Sequence, residues 1–261
     1  MKSFILLPSY NEETALGTLI PAIRDVFVAH QMPYRIVIAD DGSRDGTAGL
    51  LHRLSGEIPI EHLVHAKNQG YGAALNTGYT WIARHAEAQD IALCLDADNT
   101  HDPRYFLPMI QKMDEGFDVV TASYTMPGGR VFGVPPRRRV LSFGANLLLR
   151  LGAPVKGTRA YTTGFRSIRV ELLQRVLTLY PTLIDETGFA GGTELLLRMA
   201  RAGARTAEIP FDLHYENRGG RSKINIQRTI GCYLRLLTRY GWWRASPALR
   251  SPVSAPSKSS A

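Results

Sequence analysis

Short apolar runs alternate with longer stretches of helical periodicity through the first half of the chain. Phe4 to Leu7, Arg35 to Ala39, Ile60 to Val64 and Ile91 to Leu95 read as strands, with helices over Thr14 to His30, Thr47 to Leu54 and Gly72 to Arg84 between them. Short apolar strands separated by helices belong to a sheet covered on both faces. The pattern therefore predicts an α/β fold with a mostly parallel central sheet flanked by helices. In such sheets ligands bind beyond the carboxyl ends of the strands. The chemically distinctive residues of this chain follow strands one, two and four, which points to an enzyme.

The second half is less regular. A strand is expected over Asp118 to Ala122, then a long Gly-, Pro- and Arg-rich loop over 124–139. Helices follow at Val140 to Leu151, Arg169 to Thr178 and Thr193 to Ala202, with extended pieces at Thr163 to Ile168 and Thr206 to Ile209. Segment 224–240 sets Arg228, Arg235 and Arg239 on one helical face and Ile226, Ile230, Tyr233, Leu237 and Tyr240 on the other, with Trp242 and Trp243 just beyond. It reads either as an interfacial membrane helix or as a helix packed on the domain. The organisation predicted is one domain over 1–223, an amphipathic helix over 224–243 and a disordered tail over 244–261.

The 261 residues suffice for a full core, and 44% hydrophobic with 21% charged residues is ordinary globular usage. A net charge of +8 indicates an anionic partner without choosing among nucleotide, nucleic acid, lipid surface and phosphorylated substrate. Cys94 and Cys232 form no disulfide framework or zinc spacing, which fits a reducing, cytoplasmic location. No uncharged run approaches the roughly 18–20 residues of a membrane span, so no transmembrane helix is expected and any membrane contact is peripheral. Val140 to Leu151, with Leu147, Leu148, Leu149 and Leu151, is a second candidate for that contact.

Four motifs carry candidate chemistry. Pro8-Ser9-Tyr10-Asn11-Glu12-Glu13 follows the first strand where a dinucleotide enzyme would place G-x-G-x-x-G; it reads as a turn favouring a helix start or as a binding loop. Asp40-Asp41-Gly42-Ser43 closes the second strand, either as a turn or as a loop whose carboxylates accept nucleobase N–H groups. Lys67 and Gly72 flank a helix start, where backbone N–H groups can meet phosphate or the glycines can merely shape the loop. Asp96 and Asp98, spaced i, i+2 at a strand end, present like charges side by side and call for a cation or a basic partner. Oxygen ligands favour Mg²⁺ or Mn²⁺ bridging to a substrate diphosphate.

In this order and spacing, PSYNE, DDGS and DAD resemble the family-2 glycosyltransferases, whose fold is a single nucleotide-sugar-binding domain of GT-A type. Arg138-Arg139 with Ser142, Thr163-Gly164-Phe165-Arg166, Glu194-Leu195-Leu196 and Arg218-Gly219-Gly220-Arg221-Ser222-Lys223 are similar to the branch of dolichol-phosphate mannose synthases and polyprenyl-phosphate glycosyltransferases. The resemblance covers about residues 3–240. It implies a donor pocket of Pro8, Tyr10, Asn11, Glu12, Asp40, Asp41, Lys67, Gly72, Asp96, Arg218, Ser222 and Lys223, with the metal on Asp96 and Asp98. It implies an acceptor-phosphate site of Arg138, Arg139, Ser142 and Arg166, and catalytic roles for Asp98, Arg139, Arg166 and Glu194. The expected reaction is metal-dependent and inverting, from a nucleotide sugar, GDP-mannose first, to a polyprenyl phosphate at a membrane surface or beside a membrane-protein partner.

Two departures bear on the sugar and acceptor: Thr100 stands where many relatives carry Gln or Ser, and the chain reads Arg159-Ala160-Tyr161-Thr162-Thr163-Gly164-Phe165-Arg166 where they commonly carry Asp-x-x-Ser/Thr-Gly-Phe-Arg. One alternative is a hydroxyl acceptor with a UDP-sugar donor, for which Asp185, Glu186 or Glu194 would act as base. A nucleic-acid module is the other, and it is disfavoured by the acidic pair and the lack of RNA-reader aromatics.

Overall fold

The computed structural model describes residues 1–218 and 226–241. Ser222 and Lys223, Trp242 and Trp243, and the 244–261 tail lie outside the described residues.

Seven strands form the main sheet: β1 (Ser3–Ser9), β2 (Tyr34–Asp40), β3 (Ile60–Val64), β4 (Ile91–Cys94), β5 (Val119–Ser123), β7 (Arg166–Arg169) and β8 (Thr206–Pro210). Their order is β3-β2-β1-β4-β7-β5-β8. All pairings are parallel except those of β7, which runs antiparallel between β4 and β5. The helices are α1 (Glu13–Ala29), α2 (Thr47–Leu54), α3 (Tyr71–His85), α4 (Phe106–Asp114), α5 (Pro136–Gly152), α6 (Val170–Leu179), α7 (Gly191–Arg201) and α8 (Ile226–Tyr240).

The strands are apolar on both sides because each side meets helices. Ile5, Leu7, Ile36, Ile38 and Leu93 face α1 and α4, whereas Phe4, Leu6, Val37, Ala92 and Cys94 face α3 and the layer behind it. Cys232, Tyr233, Leu236, Leu237 and Tyr240 of α8 are buried in that second layer. At about 1.5–3 kcal/mol per fully buried large apolar side chain, this inner face is held by several kcal/mol and stays on the domain. Of the two readings of 224–240, packing on the domain describes that face; Ile230 and Leu234 remain exposed on the outer one.

The 124–139 segment is more ordered than its composition suggested. Arg130–Phe132 forms β6, which pairs in parallel with β9 (Asp212–His214) and is fastened by an Arg130–Asp212 ion pair at 2.6 Å. Helix α5 begins at Pro136 rather than Val140, since proline at the first helical position gives up an N–H that has no intrahelical partner there. Arg137, Arg138 and Arg139 thus occupy a helical first turn.

Candidate active site

The loops after β1 and β2 are sewn together. Asn11, at φ 53°, donates its N–H to Ser43 Oγ (2.8 Å) and accepts the Arg44 N–H on Oδ1 (2.7 Å), while Gly46 donates to Glu13 Oε2 (3.0 Å). Pro8 is buried in β1, and Tyr10 and Glu12 are half-buried beside the loop. Asp40 is buried and accepts from the Ser43 N–H (2.9 Å) and His62 (3.2 Å). Burial pushes its carboxyl up, but these bonds outweigh that and hold it below the ordinary range.

Two of the expected donor-pocket residues are engaged by the chain itself. Asp41 is turned inward: its carboxylate accepts the N–H groups of Gln69 (2.8 Å) and Gly70 (2.7 Å) and bonds His65 Nδ1 (2.7 Å), so it anchors the 65–70 loop. The start of α3 is also closed. Gly72 donates its N–H to Thr187 O (2.8 Å), and a Cβ there would overlap the Glu186 carbonyl oxygen. Gly72 is a close-approach glycine under the 186–188 loop, and Lys67 stays exposed.

The acidic pair sits beyond β4, as the sheet rule requires. Asp96 Oδ1 accepts from the Tyr71 hydroxyl at 2.7 Å. Asp98 Oδ1 accepts from the Thr100 hydroxyl at 2.6 Å, and Arg218 Nη1 lies 3.4 Å from Asp98 Oδ2. Burial raises the Asp96 carboxyl, Asp98's charge adds to the rise, and His101 and the Tyr71 bond draw it back only in part. Two carboxylates held close together with one of them buried fit a divalent cation, whose charge would offset the cost of ionising both. Among the described residues no third His, Cys, Asp or Glu joins it. Two hard carboxylates with the remaining positions left to water and diphosphate oxygens is a donor set suited to Mg²⁺ or Mn²⁺.

The loop bearing the pair is tied to α1 and to the aromatic core. Asn99, at φ 60°, is tied through Nδ2 to Thr18 Oγ1 (2.9 Å) and Ala15 O on α1. The buried His101 ring packs between Phe165 (4.9 Å) and Phe211 (5.5 Å).

The arginines divide into two groups. Arg138 donates to the Tyr215 hydroxyl (3.0 Å) and lies 4.9 Å over its ring, and Arg218 lies 5.5 Å from the same ring. A row Arg138–Tyr215–Arg218 thus runs from the first turn of α5 to Asp98. Arg139 is exposed, with Nη2 on the Val131 carbonyl (3.0 Å), and Ser142 Oγ is bonded to the Tyr124 hydroxyl (2.8 Å).

Arg166 is different. It is buried in β7 and donates to the carbonyls of Gly192 (2.7 Å), Tyr161 (2.7 Å) and Ala160 (3.3 Å), so it braces the core. Glu194 is likewise spent. Fully buried on α7, it accepts the Asp185 and Glu186 N–H groups on Oε2 and Arg198, Tyr240 and Arg239 on Oε1. Arg166 and Glu194 are thus both engaged within the core of the chain. Tyr71 and Tyr215 are not among the expected site residues, and Gly164 stands there only as part of the Thr163-Gly164-Phe165-Arg166 motif.

A parallel sheet with one reversed strand and an acidic pair beyond β4 defines a nucleotide-sugar fold of GT-A type. Glucosyl-3-phosphoglycerate synthase from Mycobacterium tuberculosis, crystallised with Mn²⁺ and UDP, superposes with a TM-score of 0.62 at 21% identity, over 92% of this chain and 80% of that one. TarS from S. aureus gives 0.58 at 18% identity, over 92% and 65%. Residues 4–177 match Glycosyl transferase family 2, and the chain belongs to that family.

Curated relatives include a polyprenol monophosphomannose synthase of Mycolicibacterium smegmatis, 30% identical over 80% of this chain and 76% of the relative. An undecaprenyl-phosphate mannosyltransferase of Micrococcus luteus is 28% identical over 92% and 94%. A dolichol-phosphate mannosyltransferase of Pyrococcus furiosus is 28% identical over 93% of this chain but only 64% of its own length.

Proposed function

We propose that the protein transfers a hexose, mannose from GDP-mannose first, to a polyprenyl phosphate at the cytoplasmic face of a membrane. The observation that carries the choice of acceptor is the state of the carboxylates. An acceptor hydroxyl needs a base, yet Glu194 is buried and fully bonded, Asp185 is paired with Arg198 (2.6 Å) and Arg239 (2.7 Å), and Glu186 with Arg235 (3.2 Å). A phosphate is already anionic and needs cations to hold it instead. The names of the mannosyltransferase relatives support the same reading.

Asp96 and Asp98 would hold Mg²⁺ or Mn²⁺. When bound, the metal would supply Lewis-acid stabilisation of charge gathering on the leaving nucleoside diphosphate. Tyr10, Asn11 and Glu12 would border the nucleotide. Arg218 would contribute a guanidinium beside the diphosphate, Ser222 and Lys223 extending that basic loop in sequence. Arg138 and Arg139 would grip the acceptor phosphate and aim its oxygen at the anomeric carbon, on the face opposite the leaving group, so the anomeric centre inverts.

The lipid chain has a matching surface. On α5, Val140 (70% exposed), Phe143 (67%) and Leu151 (66%) stand in solvent, beside the Arg137 to Arg139 turn. No helix among the described residues is long and apolar enough to cross a membrane. An apolar face with arginines at one end supports interfacial docking on anionic lipid.

The test is incubation with Mg²⁺ or Mn²⁺, GDP- and UDP-sugars in turn, and a short polyprenyl phosphate. Mass spectrometry should find a mannosyl-phosphate lipid with GDP-mannose. A product with a UDP-hexose alone would move the donor assignment.

A further inference from the structure

We infer that Tyr71 is a positioning residue for the metal-binding pair, fixing one oxygen of Asp96 so that the other is presented to the cation. This rests on the assignment of Asp96 and Asp98 as ligands. Tyr71 opens α3, whose buried residues pack in the core layer opposite that of α1, yet its hydroxyl donates to Asp96 Oδ1 at 2.7 Å. Among the described residues Asp96 Oδ2 takes no hydrogen bond. A carboxylate with one oxygen held by a neutral donor and the other free is oriented for a single bond to a metal.

The frame around the hydroxyl is built on both sides. Phe189 stacks on the Tyr71 ring with centroids 5.2 Å apart and planes 18° from parallel. Opposite, Gly164 leaves room that no other residue would: a Cβ there would lie 2.5 Å from the Tyr71 hydroxyl and 3.3 Å from Asp96 Oδ1. The loop carrying Phe189 is anchored independently, by the Asp185 and Glu186 N–H groups on Glu194 (2.8 and 2.7 Å). The hydroxyl thus reaches Asp96 from a platform that does not depend on the 96–98 loop. Groups that orient metal ligands in this way typically change metal affinity about 10–100-fold when removed.

The experiment measures Mn²⁺ binding by the full chain, without turnover. Free Mn²⁺ is followed by its EPR signal, and Mn²⁺ with GDP or UDP by water-proton relaxation, for the wild type, Asp98→Ala, Tyr71→Phe and Gly164→Ala. Tyr71→Phe keeps the ring on Phe189 and removes only the donor; Gly164→Ala keeps the donor and displaces it. Both should weaken Mn²⁺ by about 10-fold or more, with metal-free melting of Tyr71→Phe within a few degrees of the wild type. Wild-type affinity in Tyr71→Phe, beside lost binding in Asp98→Ala, overturns the role of Tyr71 and leaves the metal assignment standing. If Tyr71→Phe does not fold, undiminished affinity in Gly164→Ala overturns it. Absence of Mn²⁺ uptake by the wild type overturns the ligand assignment and this role with it.

Discussion

Replacing Glu194 by glutamine separates a structural carboxylate from a catalytic one. In Glu194→Gln the carbonyl oxygen can still accept the Asp185 and Glu186 N–H groups, but an NH₂ then faces the Arg198 guanidinium and the Tyr240 hydroxyl. Arg198 is only 1% exposed, so it loses a buried counter-charge while keeping Asp185 at 2.6 Å and the Thr182 carbonyl. Breaking one side of a buried ion pair costs about 3–5 kcal/mol, and the surviving Asp185 contact puts this case near 3. For a chain of this size each kcal/mol moves Tm by about 2–4 °C, so the melt should fall by about 6–12 °C. Transfer per folded molecule, assayed well below the new Tm, should stay within about 3-fold, against the loss of about 10²-fold or more expected for a general base. An unchanged melt with turnover reduced by that larger factor would refute the structural assignment and reopen the hydroxyl-acceptor reading.

Asp96→Asn should raise the Tm of the metal-free protein at pH 7 while lowering transfer by about 10²-fold or more, checked by paired melting and activity assays. The sign follows from a carboxyl raised by burial and by Asp98: ionisation in the folded state costs stability once the pH exceeds the unfolded value. Asp40 has the opposite sign, since the His62 and Ser43 bonds outweigh burial and lower its carboxyl. Its contribution is complete above the unfolded value near about 3.9 and is lost as pH falls through the folded value, so the Tm deficit of Asp40→Asn at pH 7 should shrink below about pH 4. A deficit equal at pH 7 and pH 3 would contradict this. Phe143→Glu with Leu147→Glu, at positions 67% and 39% exposed, should leave stability within about 1 kcal/mol and abolish sedimentation with anionic liposomes at low salt. Undiminished sedimentation would remove α5 as the docking face.

The parallel half of the sheet and the acidic pair were legible because local patterns encode them: apolar runs between periodic segments, and two carboxylates at a strand end. Direction and burial were not. Nothing local in Arg166-Ser167-Ile168-Arg169 announces that it reverses between β4 and β5, or that Arg166 points into the core. Glu194 and Arg198 do stand at i, i+4 on one helical face, a signal for an ion pair that the family resemblance overshadowed. Gly72 reads the same in sequence whether phosphate or a carbonyl approaches it, and here Glu186 supplies the carbonyl. Tyr71 and Asp96 meet across 25 residues, and no periodicity reports such a contact.

The central claim is that sugar is delivered to a phosphate oxygen. A direct competition between a short polyprenyl phosphate and the polyprenol of the same length, with one donor and one metal and Asp98→Ala as control, tests it in a single mass spectrum. The account predicts a glycosyl-phosphate lipid alone, absent from the Asp98→Ala reaction. Glycosylated polyprenol, or equal transfer to both, would contradict it.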